Sequence, residues 1–157
     1  MKTQPLSADK SANSQRDSGW LDRSLPSFWK AQTDWTRDDR IDYTLDSARI
    51  LAKLMPDDGT EGSLSTVPLG FKPFDYPATF ADECAGRLIT LAKSLKQLEE
   101  ENGRRIRLAI EPEPFCILET TAETIQFFRR LRELAADAGS LDAVNEYLGV
   151  CYDVCHQ

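Results

Sequence analysis

Three side chains in this sequence have the types and spacing to do chemistry together: Glu111, Asp153 and His156. Glu111 ends the apolar run Arg107-Leu108-Ala109-Ile110-Glu111, and Pro112 and Pro114 follow, so an extended strand must stop there and become loop. Its carboxylate then stands at a strand's C-terminal tip, the edge where parallel sheets with helical crossovers gather ligands and catalytic groups. Asp153 ends a second run, Gly149-Val150-Cys151-Tyr152-Asp153, and His156 comes three residues later. Period-2 alternation puts Ala109 and Glu111 on one face of the first strand, and Cys151 and Asp153 on one face of the second. On neighbouring parallel strands both carboxylates point to the same side at the same end, and the imidazole reaches them from the loop. Two carboxylates and an imidazole suit Mn²⁺, Zn²⁺, Co²⁺ or Mg²⁺ better than Ca²⁺, which prefers oxygen alone. Glu111 and Asp153 are the candidate catalytic groups, and Glu111, Asp153 and His156 the candidate metal ligands.

Each half of this pattern is common by itself. An exposed glutamate needs no special reason, and Asp153 with His156 would also suit the cap of a following helix. What favours a site is their order, separated by a helix-bearing crossover and both at strand ends. Glu113 and Glu119 are second choices, because Glu113 lies beyond Pro112 and Glu119 immediately precedes a helix. His156 is the sole histidine, and no G-x-S-x-G elbow, P-loop or G-x-G-x-x-G turn accompanies it. Cys84, Cys116, Cys151 and Cys155 include no C-x-x-C pair and read as small buried hydrophobes in a reduced compartment.

The elements that must position these residues follow from periodicity. Apolar residues at Ile41, Leu45, Ala48, Leu51 or Ala52, and Met55 predict a one-sided helix over 39–55, ended by Pro56-Asp57-Asp58-Gly59. Gly62 to Val67 reads as a short strand stopped by Pro68, followed by an aromatic loop to Pro77 that either lines a ligand pocket or covers the end of the core. Thr79 can cap a long helix with Phe80, Cys84, Leu88, Leu91, Leu95 and Leu98 inward, ending at a solvated Glu99-Glu100-Glu101 turn before Asn102-Gly103. Thr120-Thr121-Ala122-Glu123 is a capping box opening a helix with Ile125, Phe128, Leu131 and Leu134 inward, and Ser140 caps a short helix leading to the last strand, 149–153. Strands alternating with helices predict α/β architecture with one parallel sheet. Residues 1–26 are polar until Trp20 and are expected to be a disordered segment ahead of a domain spanning 27–157. An aromatic-rich stretch through Trp20, Leu21, Leu25, Phe28, Trp29 and Trp35 is expected to pack.

At 157 residues the chain is one domain's worth, and its net charge of -7 argues against nucleic acid or an anionic membrane surface as partner. No apolar run approaches the ~20 residues needed to cross a bilayer. No apolar segment follows Lys2 as a signal peptide would require, so a cytoplasmic setting is expected.

Ile110-Glu111-Pro112-Glu113-Pro114 with Leu118-Glu119-Thr120, and Gly149 through Gln157, resemble the xylose isomerase-like TIM-barrel superfamily of sugar isomerases, sugar-phosphate epimerases and endonuclease IV-type enzymes. With Ser65-Thr66-Val67-Pro68-Leu69-Gly70-Phe71-Lys72, the likeness narrows to the EboE family of metabolite-traffic barrel proteins and runs from about Phe28 to Gln157. The resemblance implies part of a (β/α)₈ TIM barrel, three to four parallel βα units. It implies a divalent metal on Glu111 and Asp153 with His156 as ligand or substrate contact, and a small polar metabolite or sugar as partner. An isomerase or epimerase, a non-catalytic metabolite binder and a truncated product without independent function are the three readings. Because the superfamily's later His and acidic ligands have no counterpart here, the isolated chain is expected to bind metal weakly, lack isomerase activity and self-associate through an open sheet edge.

Overall fold

The computed structural model describes residues 34–156, so the expected disorder of 1–26 and the packing expected of residues 20 to 29 lie outside the described residues. The elements run α1 (Asp38–Leu54), β1 (Gly62–Thr66), α2 (Phe80–Asn102), β2 (Ile106–Ile110), α3 (Thr121–Asp137), α4 (Leu141–Tyr147), β3 (Leu148–Val150) and a 3₁₀ turn at Val154–His156. The three strands form one parallel sheet in the order β1-β2-β3. Thr66 pairs with Ile110 and Ile110 with Val150, which brings the C-terminal ends of all three strands level. This is the α/β arrangement expected from the switch in period. Among the described residues β1 and β3 are each paired with β2 alone, so the sheet is open.

The core lies between the helices and one face of this sheet. Ile106, Leu108 and Ile110 are buried, as are Leu88, Leu91 and Leu95 of α2. The intervening positions differ: Arg107, Ser63 and Ser65 are exposed and Ala109 is half-buried. A strand with both faces covered would read as a continuous apolar run, whereas this one alternates. Trp35 anchors the entry to α1, its indole N–H donating to the Val67 carbonyl at 3.2 Å and its backbone N–H to Leu69 O at 3.1 Å.

Several local expectations need correction. Ile125 is exposed, and Thr124 and Phe127 take the inward positions beside Phe128 and Leu131. The α3 stripe is therefore rotated by about one residue from the one read off Ile125. The Glu99 turn is more than a solvated end. Arg105 donates from Nε to Glu99 at 2.9 Å, Tyr147 OH donates to the same carboxylate at 2.7 Å, and Arg105 pairs with Glu146 at 2.8 Å. Helix α2, strand β2 and helix α4 are thus tied together at the N-terminal edge of the sheet. Neither Thr79 nor Ser140 caps through its side chain: Thr79 Oγ donates to Glu83, and Ser140 Oγ donates back to Ala138 O. Thr120 does form the expected capping box with Glu123, and Gly103 ends α2 in the left-handed conformation.

Of the cysteines only Cys84 is a buried hydrophobe; Cys116 and Cys151 are half-buried and Cys155 is exposed, because the last two lie where the chain has left the sheet. Among the described residues no helix is long and apolar enough to cross a membrane.

The loops after β1 and β2 are clasped together above the sheet. Lys72 N donates to Phe115 O at 2.8 Å, Ile117 N donates to Gly70 O at 2.8 Å, and Phe71 bridges Cys116 antiparallel. A side chain at Gly70 would meet the Tyr76 hydroxyl at 2.5 Å, so the close passage of this loop requires glycine. The Lys72 ammonium then bridges Glu119 at 2.6 Å and Glu123 at 2.8 Å. Glu123 also accepts from the backbone N–H of Thr120 at 2.8 Å. The Lys72 hydrogen bond, supported by backbone donors, holds the Glu123 carboxyl down to about 2 against partial desolvation.

Two outcomes follow. Leu91→Ala in the core should cost about 2–5 kcal/mol in denaturant unfolding, while Leu54→Ala on the exposed side of α1 should stay within about 0.5 kcal/mol. The clasp sets a pH signature. Because Glu123's folded value lies below its ordinary 4.5, its contribution is present above pH 4.5 and lost as pH falls toward 2. Glu123→Gln should therefore destabilise by about 1 kcal/mol at pH 7, the group being a third exposed, and the difference from wild type should narrow steadily in unfolding curves taken from pH 4.5 down toward 2.

Candidate functional site

Glu111 is placed by β2. Its backbone N–H donates to Thr66 O at 3.0 Å, one more rung beyond the last paired residue, and Pro112 then turns the chain away. Its side chain shares the face of Ala109 and Arg107, opposite the buried Ile110, as alternation requires.

Asp153 arrives by a different route from the one expected. The last strand does not run to 153: α4 passes directly into β3, which ends at Val150, and Cys151 N donates the last ladder bond to Ile110 O at 2.9 Å. The Asp153 carboxylate instead accepts from Cys155 N at 2.8 Å, and His156 N donates to Asp153 O at 3.1 Å. This aspartate-initiated turn competes with an extended continuation and curls 154–156 into a 3₁₀ turn. Asp153 therefore reaches the tip of β2 by this turn and not by strand alternation. The Cys155 N–H holds the Asp153 carboxyl below its ordinary value, against partial desolvation and with a smaller contribution from His156.

The turn swings His156 back over the tip of β2. Its Nδ1 lies 3.5 Å from Glu111 Oε1 and its Nε2 lies 3.8 Å from Asp153 Oδ2. One ligand atom from each of Glu111, Asp153 and His156 falls within 4.8 Å of the others. Sequence reasoning thus names three residues that the fold brings together, one at a strand tip and two on a turn. Glu119 is committed to Lys72, so it is not part of this group. Glu113 stands apart as well, lining with Glu111, Ser65 and Arg40 a cleft of about 450 Å³ beside the tip of β1.

One member escaped sequence reasoning. The Ser65 hydroxyl donates to Glu111 Oε2, across the sheet from β1. The signal was present in the alternation of β1, where Ser63 and Ser65 are exposed while Leu64 and Thr66 are half-buried. Ser65 pairs in register with Ala109, two residues before Glu111 and on the same face.

Chemically, the group offers carboxylate oxygens and an imidazole nitrogen at separations that can take a small divalent cation. The same ring, with one nitrogen toward each carboxylate, can also carry a proton between them. The three side chains are neither sealed nor freely solvated, with exposures of 20% for Glu111, 31% for His156 and 35% for Asp153. No family model, curated protein or solved structure matches this chain.

Proposed function

We propose that Glu111, Asp153 and His156 form a divalent-cation centre at the C-terminal edge of a parallel βα sheet, and that the sheet belongs to a xylose isomerase-like barrel. The observation that carries this reading is the His156 Nδ1 atom, which is enclosed by protein, makes no hydrogen bond and lies 3.5 Å from Glu111 Oε1. A buried ring nitrogen that lies near a carboxylate without making a hydrogen bond to it is better satisfied with an ion between the two. Two donors of one tetrahedral cation, each at about 2.0–2.1 Å, stand roughly 3.4 Å apart, close to this separation. The mixed oxygen and nitrogen set fits Mn²⁺, Zn²⁺ or Co²⁺ first and Mg²⁺ after them.

A cation here would polarise a carbonyl or hydroxyl of a small polar metabolite or sugar. A carboxylate not held on the cation, or a nearby base, would then take and return the proton on the carbon alpha to a polarised carbonyl, which is isomerase or epimerase chemistry. The partial exposure of all three ligands supports weak rather than tight loading. A metabolite-traffic protein of the EboE kind would use the same group to bind without turnover.

The test is titration of Mn²⁺ and of Zn²⁺ into the full chain by calorimetry. Wild type is expected to bind one ion, and Glu111→Ala and His156→Ala are each expected to weaken binding at least as much as loss of an outer-shell partner, about 10–100-fold. Equal binding by wild type and both variants, or none by wild type, would overturn the reading. Incubating the Mn²⁺-loaded chain with a panel of aldoses and ketoses in D₂O separates the two uses. Deuterium incorporation alpha to the carbonyl marks the isomerase, and saturable binding without exchange marks the carrier.

A further inference from the structure

We infer that Ser65 is a positioning residue that makes Glu111 a one-oxygen ligand and thereby biases the centre against Ca²⁺; the inference rests on the cation reading of the site. The Glu111 carboxylate has two oxygens with different surroundings. Oε2 accepts the Ser65 hydroxyl proton from the neighbouring strand, while Oε1 faces His156 Nδ1 at 3.5 Å. The hydroxyl is itself fixed by the sheet, since Ser65 pairs with Ala109 and the next rung, Glu111 N to Thr66 O, closes at 3.0 Å. Rotating the carboxylate to present both oxygens to a cation would break the hydroxyl contact.

That constraint has a chemical consequence. Mn²⁺, Zn²⁺ and Mg²⁺ take single carboxylate oxygens at about 2.0–2.2 Å in well-defined geometry, whereas Ca²⁺ gathers 6–8 oxygens and gains from carboxylates that open to two-oxygen binding. An outer hydrogen bond that holds one oxygen away therefore disfavours Ca²⁺ and orders the carboxylate for the smaller ions. The Ser65 hydroxyl is the group that holds Oε2, so removing it frees that oxygen to turn toward a cation.

Ser65→Ala, Ser65→Thr and the control Ser63→Ala, on the same strand and face, test this with Mn²⁺ and Ca²⁺ as probes. Ser65→Ala is expected to weaken Mn²⁺ by about 10–100-fold and to lower the ratio of the Ca²⁺ to the Mn²⁺ dissociation constant. Ser65→Thr, which keeps the hydroxyl on a strand-compatible side chain, should restore both, and Ser63→Ala should change neither. The metal-free unfolding midpoints of all three should match wild type. Unchanged Mn²⁺ affinity and unchanged ion preference in Ser65→Ala would overturn the inference while leaving the cation centre standing, as would a loss that Ser65→Thr shares. Silence of wild type toward Mn²⁺ would overturn both.

Discussion

Burial of Leu88, Leu91 and Leu95 of α2 in one core with Ile106, Leu108 and Ile110 of β2 is the constraint on which the other features depend. A three-stranded parallel sheet has no hairpin to hold it, so its pairing must be maintained by what the crossover helices bury. Helix α2 is the central piece of that layer, in contact with α1, α3, α4 and β2. Its apolar stripe settles which face of β2 turns inward. Once Ile110 points into the core, Glu111 must point out of it at the strand's end. The strand that places the carboxylate is therefore set by a helix with no residue in the site.

The two edges of the sheet are built differently. At the N-terminal edge Arg105 gathers Glu99, Glu146 and Glu61, and Arg104 reaches Asp57 as well as the carbonyls of Met55 and Pro56 at the end of α1. These groups pair with one another across the ends of α1, α2, α4 and β2. At the opposite edge the Lys72 clasp likewise satisfies itself, but Glu111, Asp153 and His156 leave an enclosed ring nitrogen without a hydrogen bond. The contrast between a completed network and an incomplete one is what supports placing the proposed cation centre at this end.

The fold was legible wherever burial follows a period. Helices α1 and α2, the three parallel strands and the capping box at Thr120 could all be read from spacing, because each buries a stripe or closes a hydrogen-bond pattern that the residues themselves specify. It was less legible where tertiary contacts compete with local pattern. Ile125 fits a helical stripe as well as Phe127 does, and only the neighbouring helices decide which is covered. Cys151 to Asp153 alternate like a strand, yet a single aspartate accepting the Cys155 N–H ends the extended run. Glu99 looked solvated because its partners, Arg105 and Tyr147, lie on other elements. Ser65 was overlooked for the same reason: its partner is 46 residues away in the chain.

The 3₁₀ turn that carries His156 buries none of its three side chains, unlike β2, whose alternate residues are almost wholly enclosed. Segments with so little buried surface open at free energies far below that of global unfolding. The histidine can therefore leave the strand tip while the sheet stays intact, and the site is assembled from parts with different local stabilities. A cation bound as proposed would hold that turn against the strand tip. Cation binding would then appear as slowed amide exchange at 154–156 with little change in β2, the turn being the labile part of an otherwise constant scaffold.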